Sequence, residues 1–331
     1  MHPFTITSPA DLDSAIAMHA DDPLAAFIAG GTDLIGLMKD RATTPTRLLD
    51  INLLPAMAGI EKLPDGGLRI GALARMSAVA ADVRVREGFP VVAEALLLSA
   101  SGQLRNMASI GGNVMQRTRC AYFRDDDGLP CNKREPGSGC SALHGLNRTH
   151  AIFGWSNGCT AVNPSDLAVA LTALDAAVRV RSHQRKCTVH FADFHRLPGD
   201  TPERDTALGR GELIVAIDIP ACPEGRASHY LKIRDRQSYE FALVSVAVAV
   251  ALDGRRIGSV RLAMGGVAHK PWRLAAAERA LVDVSLDDTA RLRSAIARSF
   301  VDARPLAHNA FKVGLAQRAA LRALQTAGAR S

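Results

Sequence analysis

Four of the six cysteines in this 331-residue chain, Cys120, Cys131, Cys140 and Cys159, fall on one polar stretch that also holds Pro130, Gly137 and Gly139. Four thiolates on a glycine-rich loop can wrap a cubane iron–sulfur cluster. Soft sulfur ligands suit iron, and an irregular backbone can turn N–H groups toward the cluster sulfides. The neighbouring cations Lys133 and Arg134 would favour thiolates and offset cluster charge. Spacing alone leaves two alternatives open: structural zinc, with His144 or His150 replacing a cysteine, or a pair of disulfides. Zinc sites usually contain a close Cys-x-x-Cys pair, and no such pair occurs among these four. Cys187 and Cys222 lie in strand-like surroundings and read as core residues.

Two glycine pairs form the second feature. Ile28-Ala29-Gly30-Gly31-Thr32-Asp33-Leu34 follows a short apolar run, the pattern of a strand, a tight turn and a helix. Glycine reaches positive φ and carries no side chain, so backbone N–H groups at such a turn can converge on a diphosphate. Ser109-Ile110-Gly111-Gly112-Asn113 repeats the theme. Either pair also has a plain packing explanation, and Asn113 also reads as a turn residue. The looser dinucleotide spelling at Gly137-Ser138-Gly139-Cys140-Ser141-Ala142 has no strand before it and reads as accidental, and no nucleotide-hydrolysing loop occurs. There is no Gly-x-Ser-x-Gly and no His-Glu-x-x-His, while His183, His190 and His195 are isolated and read as surface or packing residues.

The elements that must position these residues alternate between helix and strand. Ser8-Pro9 predicts a helix start, Leu24 to Ala29 a strand, Asp65-Gly66-Gly67 a hairpin, and Pro90 to Ala100 a buried helix. A helix is expected after Asn163-Pro164-Ser165-Asp166, then strands at Ala177 to Arg181, Cys187 to Phe191 and Leu213 to Ile219. Beyond Pro220 and Pro223, strands flank Asp253-Gly254 and three helical stretches end in Asn309 to Ala327, a separate C-terminal domain. With 47% hydrophobic and 22% charged residues the chain is an ordinary folded one. Its longest apolar run, Phe241 to Leu252, is too short for a membrane span. The net charge of +7 suits an acidic partner, but scattered arginines and 5% aromatics argue against nucleic-acid binding. The N-terminus shows no secretion signal of its own.

Taken together, Ala29 to Leu34, Ser109 to Asn113, Asn163 to Ala168 and Gly211-Glu212-Leu213-Ile214 resemble, in order and spacing, the FAD-binding medium subunits of the xanthine dehydrogenase and carbon monoxide dehydrogenase family. The cysteine loop falls where flavin subunits of the periplasmic aldehyde oxidoreductase type carry a [4Fe–4S] insertion. The resemblance implies an α+β fold: a two-subdomain FAD domain of the vanillyl-alcohol-oxidase type over residues 1–225, with an insertion at about 117–160, and a CO-dehydrogenase-flavoprotein-like domain over 226–331. It also implies that Ala26, Phe27, Ile28, Ala29, Gly30, Gly31, Thr32, Asp33 and Leu34 hold the FAD diphosphate and ribose. Ser109, Gly112 and Asn113 would complete the phosphate wall. Asp166 would bond the adenosine half, Ile214 would pack on the adenine and Lys232 would lie near the flavin. Cys120, Cys131, Cys140 and Cys159 would ligate the [4Fe–4S] cluster.

The partners so implied are a molybdenum-cofactor large subunit, a small subunit with two [2Fe–2S] clusters and an external electron acceptor. Co-export by a signal-bearing partner would place the chain in the periplasm, with the cytoplasm as the alternative. Two rival readings are a self-contained flavin oxidase, which needs a base near the flavin, and a zinc-stabilised scaffold without flavin.

Overall fold

The chain opens with strands β1 (Thr5–Thr7), β2 (Ala25–Ile28) and β3 (Arg47–Asp50), which form a parallel sheet in the order β1-β3-β2. This computed structural model describes residues 1–54, 57–125 and 128–330. Residues 55 and 56 of the expected FAD domain, 126 and 127 of the expected insertion, and 331 lie outside the described residues. The first helix, Leu12–Asp21, begins later than Ser8-Pro9 predicts, because Asp11 and Ser14 form a capping box there. Asp11 accepts from the Ser14 N–H at 2.8 Å while Ser14 Oγ accepts from the Asp11 N–H at 3.1 Å, so two otherwise unpaired donors are satisfied.

A second, antiparallel sheet runs β4 (Ile60–Lys62), β5 (Leu68–Gly71), β8 (Leu213–Ile219), β6 (Ala177–Arg181), β7 (Lys186–His190). The hairpin predicted at Asp65-Gly66-Gly67 joins β4 to β5, and β6 and β8 have the predicted bounds. The strand expected to reach Phe191 stops at His190, where a short helix takes over. The third sheet, in the order β12-β11-β10-β9, contains β9 (Ser228–Ile233), β10 (Val244–Asp253), β11 (Arg256–Gly265) and β12 (Trp272–Arg273).

The apolar run that is too short for a membrane is thus β10, a strand buried on both faces. Ala247 and Ala249 face the core of the N-terminal unit, whereas Val246, Val248 and Val250 face the core of the C-terminal helices. Alternation of small and branched residues at period two lets one strand serve two cores. The helix Asp166–Ala173, buried at every position, packs between β10, β11 and the helix Pro90–Leu98. Gly265 is glycine because a Cβ there would meet Val169 of that helix at 2.5 Å. Among the described residues no helix is long and apolar enough to cross a membrane.

Candidate functional site

The turn after β2 faces a cavity of about 550 Å³, within the roughly 300–1,000 Å³ usual for cofactor sites. Gly31 takes φ of +68°, which swings the chain from strand into helix. The N–H groups of Gly31, Thr32 and Asp33 have no hydrogen-bond acceptor among the described residues. Three unpaired donors on a glycine turn at a cavity wall make a cradle for an anionic group such as a diphosphate. Asn52 braces the turn by donating to the Ala29 carbonyl at 3.0 Å, and Asn52 in turn accepts from Arg75 at 2.8 Å.

The second glycine pair acts differently. Gly111 and Gly112 lie inside the short helix Ile110–Val114, whose N-cap Ser109 accepts from the Gly112 N–H at 3.2 Å. Gly111 donates to the Ala72 carbonyl at 2.7 Å. These N–H groups are bonded within the protein, and Ser109, Gly112 and Asn113 line the same cavity as the first glycine turn. Asn113 is a buried connector that accepts from Ser165 Oγ at 2.7 Å rather than a turn residue.

On the opposite wall, Asp166 and Lys232 form an ion pair of 2.8 Å with side chains 5% and 2% exposed. Asp166 also accepts from Tyr230 Oη at 2.7 Å and Ser99 Oγ at 2.9 Å. Burial and the neighbouring Asp166 hold the Tyr230 phenol well above its ordinary pKa, so its proton stays in that bond. The resemblance assigns Asp166 and Lys232 to separate parts of the cofactor, whereas the structure joins them as one unit. Of the residues expected to contact FAD, Ala26 and Ile214 do not line the cavity. Ala26 sits within β2, and Ile214 is buried in β8 opposite Val180, packed in the core. Sequence reasoning missed the connection between β9 and β10, where Arg236, Tyr239, Glu240 and Phe241 supply part of the wall. No motif marks that connection.

The four cysteines all line one small cavity of about 10 Å³ and all are free thiols. Cys131 and Cys140 face each other in an antiparallel bridge. Asn132 shapes the turn between them, its side-chain oxygen accepting from Gly137 at 3.0 Å and Gly139 at 2.8 Å. Burial pushes the Cys120 thiol up to about 12 and the Cys159 thiol up to about 11, so thiolates there need a cation beside them. Among the described residues, no three His, Cys, Asp or Glu side chains converge tightly enough to hold a single metal ion. The expected cation Lys133 favours the Cys159 thiolate, while its buried ammonium also bonds Asp205 and the Pro202 carbonyl. Burial opposes ionisation of Asp205, but Lys133, Arg117 and His269 outweigh it and hold that carboxyl at about 2. Arg134 instead wraps the loop, donating to the carbonyls of Tyr122 and Phe123.

The two sites are tied by Asp33. Its carboxylate accepts from Arg124 at 2.7 Å, from Arg119, and from the Arg117 backbone N–H at 2.8 Å, so the glycine turn holds the first arm of the cysteine loop. Arg119 also lies over the Phe241 ring at 4.9 Å. A second cavity of about 260 Å³ is lined by Cys120, His150, Arg119 and Asp166 among others, and so adjoins both sites.

Comparison with known proteins agrees with this geometry. A family described as the FAD binding domain in molybdopterin dehydrogenase matches residues 2–222, and the CO dehydrogenase flavoprotein C-terminal domain matches residues 229–327. The chain is 50% identical over 297 residues, 89% of each chain, to the aldehyde oxidoreductase FAD-binding subunit PaoB of Escherichia coli K12. It is 30% identical over 261 residues, 79% of this chain and 74% of the other, to the glyceraldehyde dehydrogenase medium chain of Sulfolobus acidocaldarius. A solved CO dehydrogenase from Oligotropha carboxidovorans shares the fold, with a TM-score of 0.78 over the whole of both chains at 24% identity.

Proposed function

The chain belongs to the family of FAD-binding domains of molybdopterin dehydrogenases, and from that premise we propose that it is the electron outlet of a heterotrimeric molybdenum hydroxylase of the aldehyde oxidoreductase type, with a [4Fe–4S] cluster on Cys120, Cys131, Cys140 and Cys159. That it is an FAD-dependent oxidoreductase subunit follows from its relatives. The finer reading rests chiefly on one observation, the Asp33 carboxylate that lines the large cavity and also holds Arg119 and Arg124 beside Cys120.

When bound, the flavin and the cluster supply the redox chemistry, and the protein supplies binding, orientation and electrostatics. Gly31, Thr32 and Asp33 offer backbone N–H groups to the diphosphate. The Asp166–Lys232 unit, held by Tyr230 and Ser99, fixes the polarity of the facing wall. Arg119 and Phe241 close the wall toward the cysteines. The donor set supports a cluster over zinc because four cysteines line one cavity and none of them forms the close Cys-x-x-Cys pair usual at zinc sites.

A self-contained flavin oxidase would need a free base at the flavin. Asp166 is instead saturated by three donors, and Glu240 is paired with Arg236 at 3.5 Å. In the proposed assembly a large molybdenum subunit and a small [2Fe–2S] subunit deliver electrons, an external acceptor removes them, and a signal-bearing partner carries the complex to the periplasm. The test is iron, sulfide and flavin content of the protein co-expressed with its partners and purified without oxygen. About eight irons and one FAD per heterotrimer are expected, four from the cubane and four from the two [2Fe–2S] clusters of the small subunit, whereas about four irons would leave the cysteine site without a cluster. Zinc without flavin would sink the proposal.

A further inference from the structure

Among the described residues, one side-chain nitrogen is bonded to a sulfur of the four clustered cysteines: Nε2 of His150, 3.3 Å from Cys120 Sγ. The other ring nitrogen, Nδ1, is buried without a partner. A proton on Nδ1 would be an unmade buried donor, which is rarer and costlier than an unused acceptor, so the neutral ring carries its proton on Nε2, facing the sulfur.

The ring is held there from behind. Lys312, fully buried on the helix Phe311–Gly328, donates to the His150 carbonyl at 2.8 Å and to the Gly266 carbonyl at 2.6 Å. Asn309, also fully buried, donates to the His150 and Ala151 carbonyls at 3.1 Å each. The C-terminal domain thus fixes the backbone under the ring. Cys120 and His150 also line the cavity that reaches Arg119 and Asp166, so this contact lies on the flavin side of the cysteine site.

We propose that His150 donates its Nε2–H to Cys120 and so raises the reduction potential of the cluster at the face nearest the flavin, with Lys312 and Asn309 as positioning residues. A hydrogen bond to a ligand sulfur withdraws electron density from the metal and stabilises the reduced cluster. The inference rests on the [4Fe–4S] reading above.

The test uses the complex purified without oxygen, with iron, sulfide and FAD measured before an EPR-monitored redox titration. His150→Leu is expected to keep iron and FAD but titrate at a lower midpoint potential, and His150→Gln, which restores a donor, to recover part of the shift. In the unsubstituted protein, electron–nuclear double resonance should find an exchangeable proton coupled to the reduced cluster, a readout independent of either variant. An unchanged midpoint in His150→Leu with full iron would overturn the proposal. So would loss of iron with FAD retained, because His150 would then be needed for assembly rather than for tuning. An unsubstituted complex holding only about the four irons of the small subunit's two [2Fe–2S] clusters would instead remove the cluster reading itself, and this proposal with it.

Discussion

A Cβ atom on Gly30 would lie 2.0 Å from the carbonyl oxygen of Met107, so the first glycine turn and the segment leading into the second motif are in backbone contact. That neighbour alone requires glycine at position 30. Gly30→Ala should force the two segments apart at a cost of about 1–3 kcal/mol, the range for overpacking. It should also misplace the adjacent N–H groups. A lower denaturation midpoint together with substoichiometric FAD is the expected result.

Asp166 and Lys232 should behave as one unit. Lys232→Met leaves a buried carboxylate short of its cation, which should cost about 3 kcal/mol. Adding Asp166→Asn should restore part of that loss, giving a strongly non-additive double-mutant cycle in urea unfolding. Additive effects would show that the two side chains act separately, one on each part of the cofactor.

The cysteines divide four to two. Alanine at Cys120, Cys131, Cys140 or Cys159 should each deplete iron in the purified complex, whereas Cys187→Ser and Cys222→Ser should leave it unchanged. The latter pair packs against the core of the N-terminal unit, away from the loop. Iron loss in either of those serine variants would break the assignment.

Much of this was legible in the sequence because it is written locally. The glycine turn after β2, the hairpin at Asp65-Gly66-Gly67 and the bounds of β6 and β8 each follow from the backbone needs or burial of their own few residues. The start of the first helix was misread because Ser8-Pro9 and Asp11 are both acceptable caps, and only the reciprocal bond to Ser14 decides between them. The partners of Asp33, Asp205 and Lys312 lie up to 163 positions away in the chain, and any arginine or carbonyl would have matched the pattern equally well. Long-range charge pairing leaves no periodic trace, and neither does a wall built from the β9–β10 connection.

Acid should destabilise the protein through its buried histidines. His195 bonds the Val114 carbonyl at 2.8 Å while its Nδ1 has no partner, and burial lowers its pKa from 6.5 to about 4. The unfolded chain therefore takes up a proton near pH 6.5 that the folded chain refuses until about pH 4. The stabilising contribution is full above the higher value and drains away across that window, reaching roughly 3 kcal/mol for so large a shift. His195→Leu should flatten the pH dependence of the unfolding free energy between those limits. A parallel displacement of the whole curve would refute the titration and leave only a packing effect.

Because Lys232 and the β9–β10 connection come from the C-terminal domain while the glycine turn comes from the N-terminal one, flavin occupancy and interdomain docking are linked quantities. Each increment of free FAD above its dissociation constant adds to the free energy that holds the halves together. Heating at rising FAD concentration should therefore raise the unfolding midpoint of the whole chain, and Lys232→Met should weaken that rise.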